Sequence, residues 1–205
     1  MEFQEAVAAR HSAYMLDDDI SSVGVTLDDV VENLRRIAPN VPSSYNAQSV
    51  RMVVLGGEDH RVLWRIVEDV LRAKVADEQK FKRTEIKIRN FGKAAGTILF
   101  YEIDALTDKL VEANPSYADA FPVWAEHGNA MMQFATWTAL FDMGLGANIQ
   151  HYNPIIDERV RETFSIPEGY RLVSQIVFGR ISAEGARKDK LPGDAIVSVG
   201  HARKE

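Results

Sequence analysis

The segment Glu126 to Met143 carries apolar side chains nearly all the way round, among them Met131, Met132, Phe134, Trp137, Leu140 and Phe141. A helix with no broad polar face is either central to a fold or buried in an interface. Everything else in the chain has to be arranged around that demand. Gly144 and Gly146 end the helix. The wider stretch Ala130 to Ile149 is interrupted by Gln133, Asp142 and Asn148. A membrane span needs about 20 nearly uninterrupted apolar residues, so the stretch reads as a buried helix and no membrane association is expected.

The remaining periodicities alternate between helix and strand. Residues 2–10 read as a short helix ending near Arg10, and Asp17-Asp18-Asp19 as the start of a solvated loop. Thr26-Leu27-Asp28-Asp29 has the form of a capping box and opens a helix from Leu27 to Ile37, which stops before Pro39. Val50 to Leu55 reads as a strand closed by Gly56-Gly57, and Asp59 to Val75 as an amphipathic helix. Residues 78–93 form a basic run. Thr97 to Tyr101 is a second strand, Asp104 to Glu112 a helix, and Tyr117 to Trp124 a loop or short helix rich in aromatics. Asp157 to Phe164 reads as a helix, Tyr170 to Phe178 as a strand, Ser182 to Pro192 as a loop and Ala195 to Val199 as a final strand. Strands scattered among helices predict an α+β fold, and 205 residues without linkers or repeats predict a single domain over 1–205.

Composition removes several function classes. The chain has no cysteine, which excludes disulfides, thiolate metal sites and a cysteine nucleophile. A formal net charge of -6 argues against nucleic acid as a partner. Met1 to Glu5 is acidic and lacks an apolar core, so a cytoplasmic location is expected. The five histidines lack ligand spacing, so no metal is expected. Gly144-Leu145-Gly146 is not a dinucleotide fingerprint, because Ile149 stands where the third glycine belongs.

Three segments carry binding chemistry. Pro42-Ser43-Ser44-Tyr45-Asn46-Ala47-Gln48-Ser49 offers hydroxyls and two carboxamides without charge, a set suited to the polar edge of a heterocycle. Arg10-His11-Ser12 and Lys188-Asp189-Lys190 supply cations. Taken singly, each has a plain reading: a polar turn, a helix C-terminus favouring positive charge, and solvated charge. Taken together, they describe a site for a phosphate-bearing cofactor.

The same features resemble the nitroreductase family of flavoproteins: Arg10-His11-Ser12 after the first helix, Pro42-Ser43-Ser44-x-Asn46-x-Gln48 before the first strand, the apolar helix ending Gly144-Leu145-Gly146-Ala147-Asn148, and a basic pair near the C-terminus. Phe121 to His127 and Asn148 to Pro154 are similar to the subgroup of fungal fatty-acid-repression-mutant-type proteins and their bacterial relatives. The resemblance implies a central antiparallel sheet flanked by helices, with a C-terminal strand exchanged in a homodimer. It implies FMN at the dimer interface and hydride transfer from NAD(P)H through the flavin, in ping-pong fashion, to a small nitroaromatic or quinone-type acceptor. Arg10 with Lys188 or Lys190 would hold the phosphate, and Ser12 would donate to phosphate or ribityl oxygens. His11 or a lysine would stabilise charge on the reduced ring. Pro42, Ser43, Ser44 and Asn46 would come from the second subunit, with Gln48 close behind, and Asn148, Gln150 and His151 would pass the reactive nitrogen. Arg89 and Lys93 are candidates for further ring contacts, and Phe121, Trp124 and Tyr152 for an apolar lid. No side chain is expected to act as an obligatory acid or base, since the flavin carries the chemistry. The competing reading is a non-catalytic flavin-binding regulatory protein on the same fold.

Overall fold

A computed structural model describes residues 2–75 and 77–200. Five strands, β1 (Met15–Asp17), β2 (Val50–Gly56), β3 (Gly96–Ile103), β4 (Gly146–Gln150) and β5 (Tyr170–Ala183), form one sheet in the order β1-β5-β3-β2, with β4 also paired to β5. Every pairing is antiparallel. Side chains alternate across the pleat. Ile98, Phe100, Ile176 and Phe178 face one side, where α2 (Leu27–Ile37) and α6 (Ala120–Asp142) pack. Leu99, Tyr101, Leu172 and Val177 face the other, against α3 (Gly57–Lys74), α4 (Glu78–Phe91) and α7 (Asp157–Thr163). Covered on both faces, β3 reads as a continuous apolar run rather than an alternating one. α1 (Phe3–Ala9) and α5 (Asp104–Ala113) complete the helices before the C-terminal segment.

Local signals account for most element ends. The Thr26 capping box is present: Thr26 N–H donates to Asp29 Oδ2 at 2.9 Å, and Asp29 N–H to Thr26 Oγ1 at 3.2 Å. α6 begins at Ala120, earlier than the expected Glu126, and takes in half of the aromatic segment. Pro122 sits in its first turn, where a missing N–H breaks no helical bond. Asp17 is not in a solvated loop. It ends β1 and forms a two-point ion pair with Arg180 of β5. The basic run is an amphipathic helix, α4, whose Ile88 and Phe91 are core residues.

The expected final strand is absent. Residues Gly193–Ile196 form a short helix, α8, and Ile196, Val197 and Val199 are all exposed. A strand exists only with a neighbour to bond, and among the described residues this segment pairs with none.

Between α3 and the sheet lies a closed polar network. His60 is buried, with Nε2 3.0 Å from Phe91 O and Nδ1 2.9 Å from Thr97 Oγ1. The carbonyl can only accept, so Nε2 carries the proton. Trp64 Nε1–H donates to Thr97 Oγ1 at 3.0 Å, and the threonine hydroxyl is then free to donate to Nδ1. The network requires neutral histidine, and burial lowers its pKa from 6.5 to about 4. The unfolded chain therefore takes up the proton first. Stability should be complete above pH 6.5 and fall as pH drops towards 4, by about 3 kcal/mol from this group. Urea unfolding followed across that range should show the loss, and His60→Gln should flatten the slope.

Candidate functional site

The Arg10-His11-Ser12 segment is strapped to β4 by side chains that alternate along it. Ser12 bridges Ala147 in parallel fashion, and Ala13 N–H donates to Ala147 O at 3.0 Å. Asn148, fully buried, donates from Nδ2 to Ala13 O at 2.7 Å, and Gln150 Nε2–H donates to Asn148 Oδ1 at 2.8 Å. The side chains of Asn148 and Gln150 are therefore committed to holding this segment, while His151 is exposed. Trp137 of α6 donates its indole N–H to Ala147 O at 3.2 Å and presents its ring to Arg10, whose guanidinium carbon lies 4.5 Å from the ring centroid. Arg10 Nε is buried without a hydrogen-bond partner.

His11 Nδ1 donates to Ala9 O at 2.8 Å, and the ring packs 5.0 Å from Phe141. Its Nε2 lies 3.2 Å from Glu184 Oε2, at ion-pair distance but out of line for a hydrogen bond. That contact brings the start of the C-terminal segment to the cluster. Lys188, four residues beyond Glu184, is within roughly 14 Å of Glu184 even if the chain is fully extended. Lys188 and Lys190 are both exposed.

The 42–49 loop forms a second cluster. Ser44–Asn46 make a tight 3-10 turn in which Tyr45 has φ 50°, followed by Asn46 at 54° and then Gln48 at 47°. Non-glycine residues rarely adopt this left-handed region. Pro42, Ser43, Asn46 and Gln48 line an open cleft of about 490 Å³, with Arg51 and Met132 opposite. Tyr45 is 57% exposed, and the edge of its ring meets the buried Phe121 ring at 5.1 Å. Gly128 of α6 faces Ser43, where an added Cβ would come within 3.7 Å of the serine Cβ. Gly128 and Trp137 are nine residues apart on α6, so the two clusters are on the order of 14 Å apart along its axis. Beside them runs an apolar groove of about 1060 Å³ lined by Phe3, Ile37, Val41, Met131, Phe134 and Ala135. Met131 and Phe134 are 41% and 43% exposed, so the apolar helix is central on one side and open on another.

Two candidates fall outside these clusters. Arg89 is engaged by Glu85 at 2.7 Å and Glu68 at 3.3 Å on the outer surface of α3 and α4, and neighbouring Lys93 donates to Asn90 at 3.2 Å. Tyr152 packs edge-on to Trp64 at 5.7 Å, and burial raises its hydroxyl pKa to about 12. It is part of the core. Sequence reasoning passed over Trp137 as a partner for Arg10. An arginine and a tryptophan far apart in sequence give no local signal of meeting.

A two-sided antiparallel sheet with an apolar central helix, a strapped cationic segment and a left-handed polar loop defines an α+β domain with an open apolar groove on one face. The model of the Nitroreductase family matches residues 7–180, and the chain belongs to that family. It is 33% identical over 177 residues to the nitroreductase FRM2 of Saccharomyces cerevisiae, a match covering 86% of each chain. The solved structure of nitroreductase CinD from Lactococcus lactis with nicotinic acid has a TM-score of 0.86 at 35% identity, covering 98% of this chain and 100% of that one. The structure of CinD with 4-nitrophenol has a TM-score of 0.85 at 35% identity over the same shares. The chain is thus an oxidoreductase of the nitroreductase fold. Among the described residues, no helix is long and apolar enough to cross a membrane.

The strap predicts its own weak point. Asn148→Ala leaves the buried Ala13 carbonyl without its side-chain donor and should cost about 1–3 kcal/mol in urea unfolding. Hydrogen exchange should quicken selectively over residues 10–14. Unchanged stability would mean that the strand pairing alone holds the segment.

Proposed function

We propose that the protein is an FMN-dependent oxidoreductase that takes electrons from NAD(P)H and passes them to small nitroaromatic or quinone-type acceptors. The observation that carries the reading is Arg10. Its charge rests on an aromatic face, its Nε has no partner, and the exposed Ser12 hydroxyl stands two residues away. A cation fixed in this way suits a phosphate group. FMN, when bound, would supply the hydride chemistry. The relatives support the choice: CinD has been solved with nicotinic acid, which shares the pyridine carboxyl framework of nicotinamide, and with 4-nitrophenol, a nitroaromatic.

The roles divide by chemistry. Arg10, with Lys188 or Lys190, holds the phosphate. Ser12 donates to the phosphate or ribityl oxygens. His11 stands at the same cluster, with its Nε2 3.2 Å from Glu184 Oε2, as the candidate beside a ring that gains negative charge. The carboxamides of Asn46 and Gln48 offer paired donors and acceptors to the polar edge of the ring. In one chain they stand a helix segment away from Arg10, so a complete site takes its 42–48 loop from a second copy. The groove along α6 supplies the apolar surface on which a homodimer would close. Tyr45 and Trp124, both in ring contact with Phe121, rim the side from which a flat acceptor enters.

The purified protein should be yellow and should bleach on anaerobic addition of NADH or NADPH. A flavin spectrum that does not bleach would favour the non-catalytic, regulatory reading. A protein that takes up no FMN would sink both. Arg10→Ala should weaken FMN binding roughly ten- to a hundredfold, the weight of one charge-assisted contact, with little change in stability. Titration of the apoprotein with FMN, followed by fluorescence quenching, measures this.

A further inference from the structure

We infer that Thr107, on α5, and the serine hydroxyls of the 42–49 loop hold a single buried water molecule that pins the loop to α5. The left-handed backbone at Tyr45, Asn46 and Gln48 is intrinsically unfavourable and persists only where its surroundings over-determine it. The hydrogen bonds recorded within the loop fix its internal shape. Asn46 N–H donates to Ser43 O at 3.1 Å, Ala47 N–H to Ser44 O at 3.0 Å, and Gln48 N–H to Ser43 Oγ at 3.0 Å. They do not attach it to the body of the protein. Attachment comes from Ser49 O, which accepts Ile103 N–H at 3.0 Å at the loop's end, and from the Tyr45 ring resting on Phe121.

Beneath the loop is a narrow cleft bordered by Ser43, Ser44, Ser49 and Thr107, with Phe121 and Trp124 also on its wall. Its free volume of about 10 Å³ matches the room a single water needs. Thr107 is 6% exposed, and its Oγ1 has no hydrogen-bond partner among the described residues. Buried hydroxyls without partners are rare in folded proteins. A cleft of this size, with three serines and this threonine set in an otherwise apolar wall, is a site for water and too small for an ion with its shell or an organic ligand. A water there reaches both the helix hydroxyl and the loop serines, which gives the strained turn a further point of attachment. Thr107 is then a positioning residue for the loop. Its effect on cofactor affinity rests on the flavin reading above; the water site itself does not.

Thr107→Val keeps size and branching and removes the hydroxyl, and Thr107→Ser restores it. A high-resolution crystal structure of the wild-type protein should show one ordered water bonded to Thr107. The valine variant should lack it, and its amides at 43–49 should exchange about tenfold faster while those of β3 stay as slow as in wild type. FMN should bind roughly tenfold more weakly to the valine variant and normally to the serine variant. A dry cleft in the wild type, or loop exchange in the valine variant as slow as in wild type, overturns the inference. If the wild type takes up no FMN, the flavin reading fails, and the crystal and exchange results still decide the water.

Discussion

The structure hangs on β5. It pairs with β3 through Tyr170–Phe178, with β4 through Gln175–Gly179 and with β1 through Arg180–Ala183, so one strand fixes the register of three others. The junction where the last two pairings meet admits no side chain. A Cβ on Gly179 would lie 2.4 Å from Asp17 O, a backbone atom that cannot swing aside. One on Gly146 would lie 2.4 Å from Ile181 Cγ1 and 3.0 Å from the Ala13 Cβ. These glycines are placed for close approach of three chain segments. Because Ala147 and Asn148 follow Gly146 directly, the register of β4 on β5 determines where Ala13 is held, and with it Arg10, His11 and Ser12.

The long apolar helix then converts this register into a site. α6 touches the strapped segment at Trp137 and the polar loop at Gly128, with the apolar groove beside both. Its buried side is not purely apolar. Asn129 Nδ2–H donates to Glu102 Oε2 at 3.0 Å, and Gln133 Nε2–H to Asn129 Oδ1 at 2.7 Å. Buried polar bonds of this kind are directional where apolar packing is not, and they oppose sliding of the helix along the sheet. The spacing between the two clusters is thereby fixed.

Much of this was legible in the sequence wherever a signal was local. The capping box opened α2 and Pro39 closed it, Gly56-Gly57 closed β2, and Tyr170 to Phe178 read as a strand that lies within β5. What failed depended on distant partners. β1 is three residues of Met-Leu-Asp with no period to detect, and it is a strand only because Ala183, Ile181 and Arg180 of β5 lie opposite. Ala195 to Val199 has strand composition but, among the described residues, no neighbour to pair with. Within the basic run at 78–93, Arg89 was a candidate for ring contact, yet it is held by Glu85 of its own helix α4 and Glu68 of α3. For the candidate site, the segments could be named from the sequence. The roles of Asn148 and Gln150 as internal struts could not, because an amide that bonds backbone reads the same as one that bonds a ligand.

Electrostatics separates Arg10 from the ion-paired arginines of the chain. Arg180 is bound by Asp17, Arg171 by Asp104 and Glu126, and Arg89 by Glu85 and Glu68. Each of those charges is neutralised where it stands. Arg10 has the Trp137 ring instead and, among the described residues, no carboxylate at ion-pair distance. A ring face orients a guanidinium and lowers its cost of partial burial without cancelling its charge. In a chain with a net charge of -6, acidic partners are plentiful, so a half-buried arginine without one keeps its field for an incoming anion. The same ring donates its N–H to Ala147 O, the carbonyl that also receives Ala13 N–H. Trp137 therefore orients the cation and anchors the backbone that carries it, which makes the direction of that charge a property of the fold rather than of a flexible side chain.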